Sequence, residues 1–260
     1  MSRRASRAAA IAVGLWFVPA LAGAQTNTAP PVAPAQGQPA AQPAPAASTA
    51  PTGPTPLDRY LKNLKTLRVT FLQTIADAQG AEVGRSTGTL IVERPGKFRW
   101  EIHPQSVTQN GTAGQSAAPA QPGSAGGGQL MVSDGRNLWY FDRDLEQVTV
   151  RPMTAALSAT PAMLLSGTVD VRQNFTESLA GRREGLSWVY VEPRSGQADF
   201  KSALFGFDAK GTLQRMILED KLGQIVTIVF QDVAVNAPVS AQELTFTPPP
   251  GADVIGTPAQ

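Results

Sequence analysis

From Val69 to Val235 the chain is written in short runs of alternating apolar and polar residues, each closed by a turn signal, and this patterning constrains the fold more than any other feature. Val69, Phe71 and Ile75 fall on one side of a strand, Thr87, Thr89 and Ile91 on one side of the next. Phe98, Trp100 and Ile102 then alternate against Lys97, Arg99 and Glu101. The turns are spelled Arg94-Pro95-Gly96-Lys97, Ser133-Asp134-Gly135-Arg136, Ala180-Gly181-Arg182, Asp208-Ala209-Lys210-Gly211 and Leu222-Gly223-Gln224. Each is short enough to close a hairpin. Counting runs predicts about eleven antiparallel strands, most joined as an up-and-down meander.

A sheet that wide must curl or split, because strand twist accumulates and bare edges invite aggregation. Two segments of helical character can cover its concave face. Thr55 is placed as an N-cap, Pro56 at the first helical position and Asp58 as the capping-box acid. Leu57, Tyr60, Leu61, Leu64 and Leu67 follow at helical spacing. Met153 to Gly167 reads as a short or broken helix around Pro161, ended by glycine. A curled sheet under a lid of short helices makes a cavity for an apolar ligand. Filling of that space by core side chains is the alternative.

The first residues read as an export signal, 1–24: Arg3, Arg4 and Arg7, an apolar stretch from Ala8 to Leu21, and the small residues Ala22-Gly23-Ala24 at a cleavage site. Its removal takes three arginines and no acid, so 22 bases against 20 acids become 19 against 20. The basic balance belongs to the signal, and no concentrated cationic field remains to hold nucleic acid. Residues 25–54 are an uncharged Pro/Ala-rich tether, expected to be disordered. Residues 55–256 form one domain, interrupted by a flexible inserted loop at 105–128, and 257–260 are a tail.

Chemistry is hard to find. There is no cysteine and one histidine, which removes disulfides and nearly removes a zinc site, so neither metal nor cofactor is expected. That histidine, His103, precedes Pro104 at the lip of the inserted loop, poorly placed to act as a base. Asp142, Asp144 and Glu146 lack the spacing of a calcium loop and read as solvated turn charges. Two carboxylates brought together by separate strands are not visible to sequence reasoning. The sequence offers binding, not catalysis. Without a cysteine the mature N-terminus cannot be lipidated, so a soluble protein of the periplasm is expected.

Four segments, in order, carry a resemblance: Glu93-Arg94-Pro95-Gly96-Lys97-Phe98-Arg99-Trp100, Val132-Ser133-Asp134-Gly135-Arg136-Asn137-Leu138-Trp139-Tyr140, Thr160-Pro161-Ala162-Met163-Leu164-Leu165 and Leu244-Thr245-Phe246-Thr247-Pro248-Pro249-Pro250-Gly251. Together they resemble the periplasmic outer-membrane lipoprotein carrier family (LolA type), over essentially Leu57 to Gly251. The resemblance implies an unclosed antiparallel β-barrel of about eleven strands with a short-helix lid over an apolar cavity. It implies a monomeric chaperone that takes acylated lipoproteins from an inner-membrane ABC-type extraction complex to an outer-membrane acceptor. A lipid- or lipoprotein-sensing signalling module of the same fold is the alternative. By the same resemblance Arg94 holds the lid closed and Phe98 contacts a partner. Trp100, Trp139, Met163, Leu164 and Leu165 are candidates for acyl cavity and lid, and a plain core role suits them nearly as well.

Overall fold

A computed structural model describes residues 53–105, 127–153, 160–168, 170–194 and 200–259. The export signal, most of the tether and most of the inserted loop lie outside these residues. The first helix, α1 (Pro56–Asn63), starts where its cap predicts: the Thr55 hydroxyl accepts from the Asp58 amide at 3.0 Å, and the Thr55 amide donates back to the Asp58 carboxylate at 3.1 Å. Together these satisfy two of the amides that a helix start leaves unpaired. The helix ends sooner than its apolar spacing suggests. Leu64 is already extended, and Leu67 is the first inward residue of a strand.

The strands are β1 (Thr66–Ala76), β2 (Glu82–Glu93), β3 (Lys97–Gln105), β4 (Gln129–Asp134), β5 (Asn137–Asp142) and β6 (Gln147–Pro152). Helices α2 (Pro161–Ser166) and α3 (Val171–Asn174) follow, then β7 (Phe175–Arg183), β8 (Leu186–Pro193), β9 (Phe200–Phe207), β10 (Leu213–Asp220), β11 (Ile225–Val235) and β12 (Asp253–Ile255). Twelve strands form one sheet in the order β12-β6-β5-β4-β3-β2-β1-β11-β10-β9-β8-β7. All neighbours are antiparallel except β12, which lies parallel to β6. The chain thus enters mid-sheet, runs outward to β6, crosses by way of α2 and α3 to the far edge, and returns until β11 pairs with β1.

Two strand expectations change. The twelfth strand is a three-residue addition after the Pro-rich segment, too short to show as alternation. Ala180-Gly181-Arg182 is not a hairpin turn. It lies inside β7 at a register shift between Leu179 and Arg182, and the turn falls at Glu184-Gly185. A bulge and a turn both use glycine, so the dipeptides compete on equal terms in the sequence.

The geometry of α1 shows that the sheet is curled. In a flat sheet β2 and β7 would be six strand spacings apart, about 29 Å. Yet α1, eight residues and so about 12 Å long, bonds to β7 at its start and to the end of β2 at its finish. The edges β7 and β12 do not pair with each other, so the barrel stays open.

The inner face carries Leu67, Val69 and Phe71 of β1, Leu90 and Val92 of β2, Phe98 and Trp100 of β3, and Phe205, Phe207, Met216 and Ile228 beyond, all buried. On the outer face of β3–β6 a second apolar layer forms. The segment after β11 crosses that face through a 3-10 turn (Ala241–Leu244), with Leu244 buried and Phe246 set against Trp139 and Phe141 at 5.8 and 6.0 Å. It ends by adding β12 to the edge, and Ala259 donates its amide to the Asn137 side chain at 2.7 Å.

Candidate functional site

The tight turn between β2 and β3 joins the ends of two helices. The Arg94 amide donates to the Lys65 carbonyl just past α1, and the Gly96 amide donates to the Ser166 carbonyl at the end of α2, both at 2.8 Å. Between these anchors the Arg94 guanidinium donates to the Leu61 carbonyl in the last turn of α1 at 2.9 Å. A cation suits that place, where unpaired carbonyls concentrate partial negative charge. The opposite side of the guanidinium lies on Gly167, the left-handed residue that ends α2. A Cβ at Gly167 would sit 2.6 Å from Arg94 Nη2 and 2.9 Å from Cζ, so glycine is what lets the side chain pass. Partial burial pulls the Arg94 pKa below its ordinary value. Among the described residues no carboxylate lies within ion-pair distance of it.

The other end of α1 is held through two partners that sequence reasoning did not single out, Glu177 and Arg172. The Thr55 hydroxyl donates to Glu177 Oε2 on β7 at 2.5 Å, and Arg172 of α3 bonds Asp58 Oδ1 at 2.7 Å. Burial raises the Asp58 pKa, but the hydrogen bonds from Arg172 and the Thr55 amide outweigh it and leave the carboxyl below its usual range. Glu177 goes the other way: burial raises it, nearby Asp58 adds to the rise, and the Thr55 and Arg172 contributions do not overcome them. Helix α1 is therefore fastened at both ends, at Arg94 and at the Thr55–Asp58–Arg172–Glu177 cluster.

Helix α2 starts at Pro161, capped by Thr160, so the proline opens the helix instead of breaking it. Residues 154–159, which the expected longer helix included, lie outside the described residues. Met163, Leu164 and Leu165 are 0, 1 and 0% exposed, and the helix packs on β2 and β3 inside the curl. Trp100 is on that inner face, edge-on to Phe71 at 6.0 Å. Phe98, expected at a partner surface, lies on the same face and is 0% exposed. Trp139 lies elsewhere. Register pairs Trp100 with Met131 and Tyr140, but Trp139 with Val132 and Arg99, so it faces outward beneath Phe246 and does not line the interior. Its indole donates to Asp134 at 3.2 Å.

Beside α1 an open cleft of about 920 Å³ is bordered by Asp58, Arg59, Leu61, Lys62, Arg94 and Arg172, among others. Charged side chains border it together with Leu61 and Val171, and none of the inner-face residues named above lines it. Among the described residues no group of three metal-ligating side chains comes together. No described helix is long and apolar enough to cross a membrane. Asp142 accepts from the amides of Asp144 and Leu145 within its own turn. His103 is half-exposed on β3, 3.8 Å from Glu101.

The chain matches the model of the family described as outer membrane lipoprotein carrier protein LolA over residues 62–112 and 126–247. It is similar to proteins named outer-membrane lipoprotein carrier protein in Dechloromonas aromatica, at 38% identity over 77% of this chain and 86% of that protein, and in Methylobacillus flagellatus, at 35% over 77% and 87%. Among solved structures it resembles an uncharacterized conserved protein of Thermus thermophilus, at 15% identity and a TM-score of 0.45, covering 77% of this chain and 96% of that one. A LolA superfamily protein of Nitrosomonas europaea aligns at 12% identity and a TM-score of 0.38 over 74% and 96%.

Proposed function

Since the chain belongs to the outer-membrane lipoprotein carrier (LolA) family, we propose that it is a periplasmic chaperone that takes acylated lipoproteins from an ATP-driven inner-membrane extraction complex and delivers them to an outer-membrane acceptor. The activity is binding and hand-over, with no covalent step. The observation that supports it is α2, a helix whose apolar side chains fill the inner face of an open barrel while α1 covers the mouth on two polar fastenings.

The energetics suit reversible exchange. A 16-carbon acyl chain costs on the order of 12 kcal/mol to hold in water, at about 0.8 kcal/mol per methylene, so free transit is negligible. Met163, Leu164 and Leu165 each gain about 1.5–3 kcal/mol by burial. Together they offset part of what an entering acyl chain gains, which lowers the net binding energy and favours release. In this reading Phe98, Trp100 and the α2 side chains meet the acyl chains. Arg94 resists lid opening, and Phe98 becomes reachable by a membrane partner only when α2 lifts. Protein purified from the periplasm and examined by native mass spectrometry should carry diacylglyceryl-modified lipoprotein. Consistently empty protein, or peptide cargo without acyl chains, would overturn the proposal.

A further inference from the structure

Tyr60 sits in the middle of α1 and is 8% exposed, its ring tilted over Phe207 of β9 with centroids 5.5 Å apart. Its hydroxyl oxygen is buried and has no hydrogen-bond partner among the described residues. A buried hydroxyl left unpaired is a net cost to the fold. Phenylalanine would fill the same space and make the same ring contact without that cost, so the closed chain makes no use of the oxygen. Burial also raises the phenol pKa, which keeps the group a protonated donor. A second buried atom without a partner among the described residues is Oε1 of Gln73. Gln73 pairs with Ile228 in the row that continues through Met216 to Phe205, the face of the sheet that carries Phe207. Two unpaired polar atoms therefore sit on a largely apolar face, which also carries Ser86 opposite Gln73.

Their place fits one part of an acylated cargo. The next residue, Leu61, borders the 920 Å³ cleft, with Arg59, Lys62 and Arg94 around it, and on the other side of α1 the apolar interior begins. A lipid-modified cysteine has the same layout: hydrocarbon chains, then ester carbonyls, then polar peptide. Resting on the carrier reading above, we propose that the Tyr60 hydroxyl donates a hydrogen bond to an ester carbonyl at the head of the acyl chains, with the chains inside the barrel and the peptide in the cleft. The side chain thereby selects for acyl esters over bare hydrocarbon, and sets how deep the chains enter.

The test uses wild type and Tyr60→Phe with two probes, a dipalmitoylglyceryl cysteinyl peptide and its dialkyl ether analogue with the same chain lengths. Wild type should bind the ester probe about tenfold more tightly than the ether, the effect of one hydrogen bond made in a dry site. Tyr60→Phe should bind the two equally, while the unfolding midpoint of the empty protein stays the same or rises. A midpoint lower by several degrees would show that the hydroxyl is already paired in the empty chain, and would overturn the proposal. So would an ester preference that survives in Tyr60→Phe, or wild type binding both probes equally. Wild type binding neither probe would sink the carrier reading itself, which is a different result from equal binding.

Discussion

Gly167→Ala, set against Gly185→Ala, measures what the Arg94 clasp contributes. Both glycines are left-handed, with φ of +74° and +75°, so alanine at either place incurs the same backbone penalty of about 1–2 kcal/mol. Their surroundings differ. An added Cβ at Gly185 meets nothing within 4 Å, whereas at Gly167 it meets the Arg94 guanidinium at 2.6–2.9 Å. That guanidinium is the far end of a flexible side chain, so it yields before the backbone does, and what it gives up is the 2.9 Å bond to the Leu61 carbonyl. A hydrogen bond to a charged donor contributes about 1.5–3 kcal/mol, and for a half-buried arginine the lower end applies. Gly167→Ala should therefore be less stable than Gly185→Ala by about 1.5 kcal/mol, or about 3–6 °C in midpoint for a domain of this size. Urea titration gives the energies, and hydrogen exchange gives their location, with α1 amides losing protection in Gly167→Ala alone. In Arg94→Leu, where the clasp is already gone, Gly167→Ala should cost no more than Gly185→Ala. Equal destabilisation of the two glycine variants in the parent protein would refute the clasp as a source of lid stability.

Two further outcomes concern the rest of the frame. Glu177 has a raised pKa, so its contribution to stability is full below the usual carboxylate range and is lost as pH rises through its folded titration. Glu177→Gln, which keeps an acceptor for Thr55, should thus melt above wild type near neutral pH, and the gap should close by about pH 4; a variant less stable at every pH would show the charge to be favourable. Phe246→Ala removes the aromatic cover from Trp139 and Phe141 and should cost about 2–3 kcal/mol, since the ring is only half-buried. Trp139 fluorescence should shift to the red in the variant while still folded, and an unchanged spectrum would mean that the segment after β11 is not what shields it.

Local rules carried the sequence reading a long way. Thr55, Pro56 and Asp58 announced the start of α1 because a capping box is a contiguous pattern, and the Arg94 turn was visible because proline and glycine sit in it. The end of α1 was not, since Leu67 continues the helical spacing, and only pairing with β2 and β11 makes it extended. The face of Trp139 was not legible for a related reason. The outer layer formed by Leu244 and Phe246 makes Leu130 and Val132 as buried as Met131, so alternation there gives no direction. The second fastening of α1 was out of reach, because Asp58 meets Arg172, and Thr55 meets Glu177, across more than a hundred residues.

The mid-sheet entry of the chain has a bearing on how the molecule is made. Strand β1 finds β2 at once through a short turn, but its other neighbour is β11, where Phe71 lies opposite Phe230. That contact cannot form until nearly the whole domain is available, and closing so long a loop before any pairing rewards it makes folding slow. Each flank of β1 can assemble as a local meander, but the seam between the flanks joins the earliest strand to one of the last. A chain delivered N-terminus first would wait with one edge of β1 bare, so the β1–β11 seam is where slow folding and misassociation should concentrate.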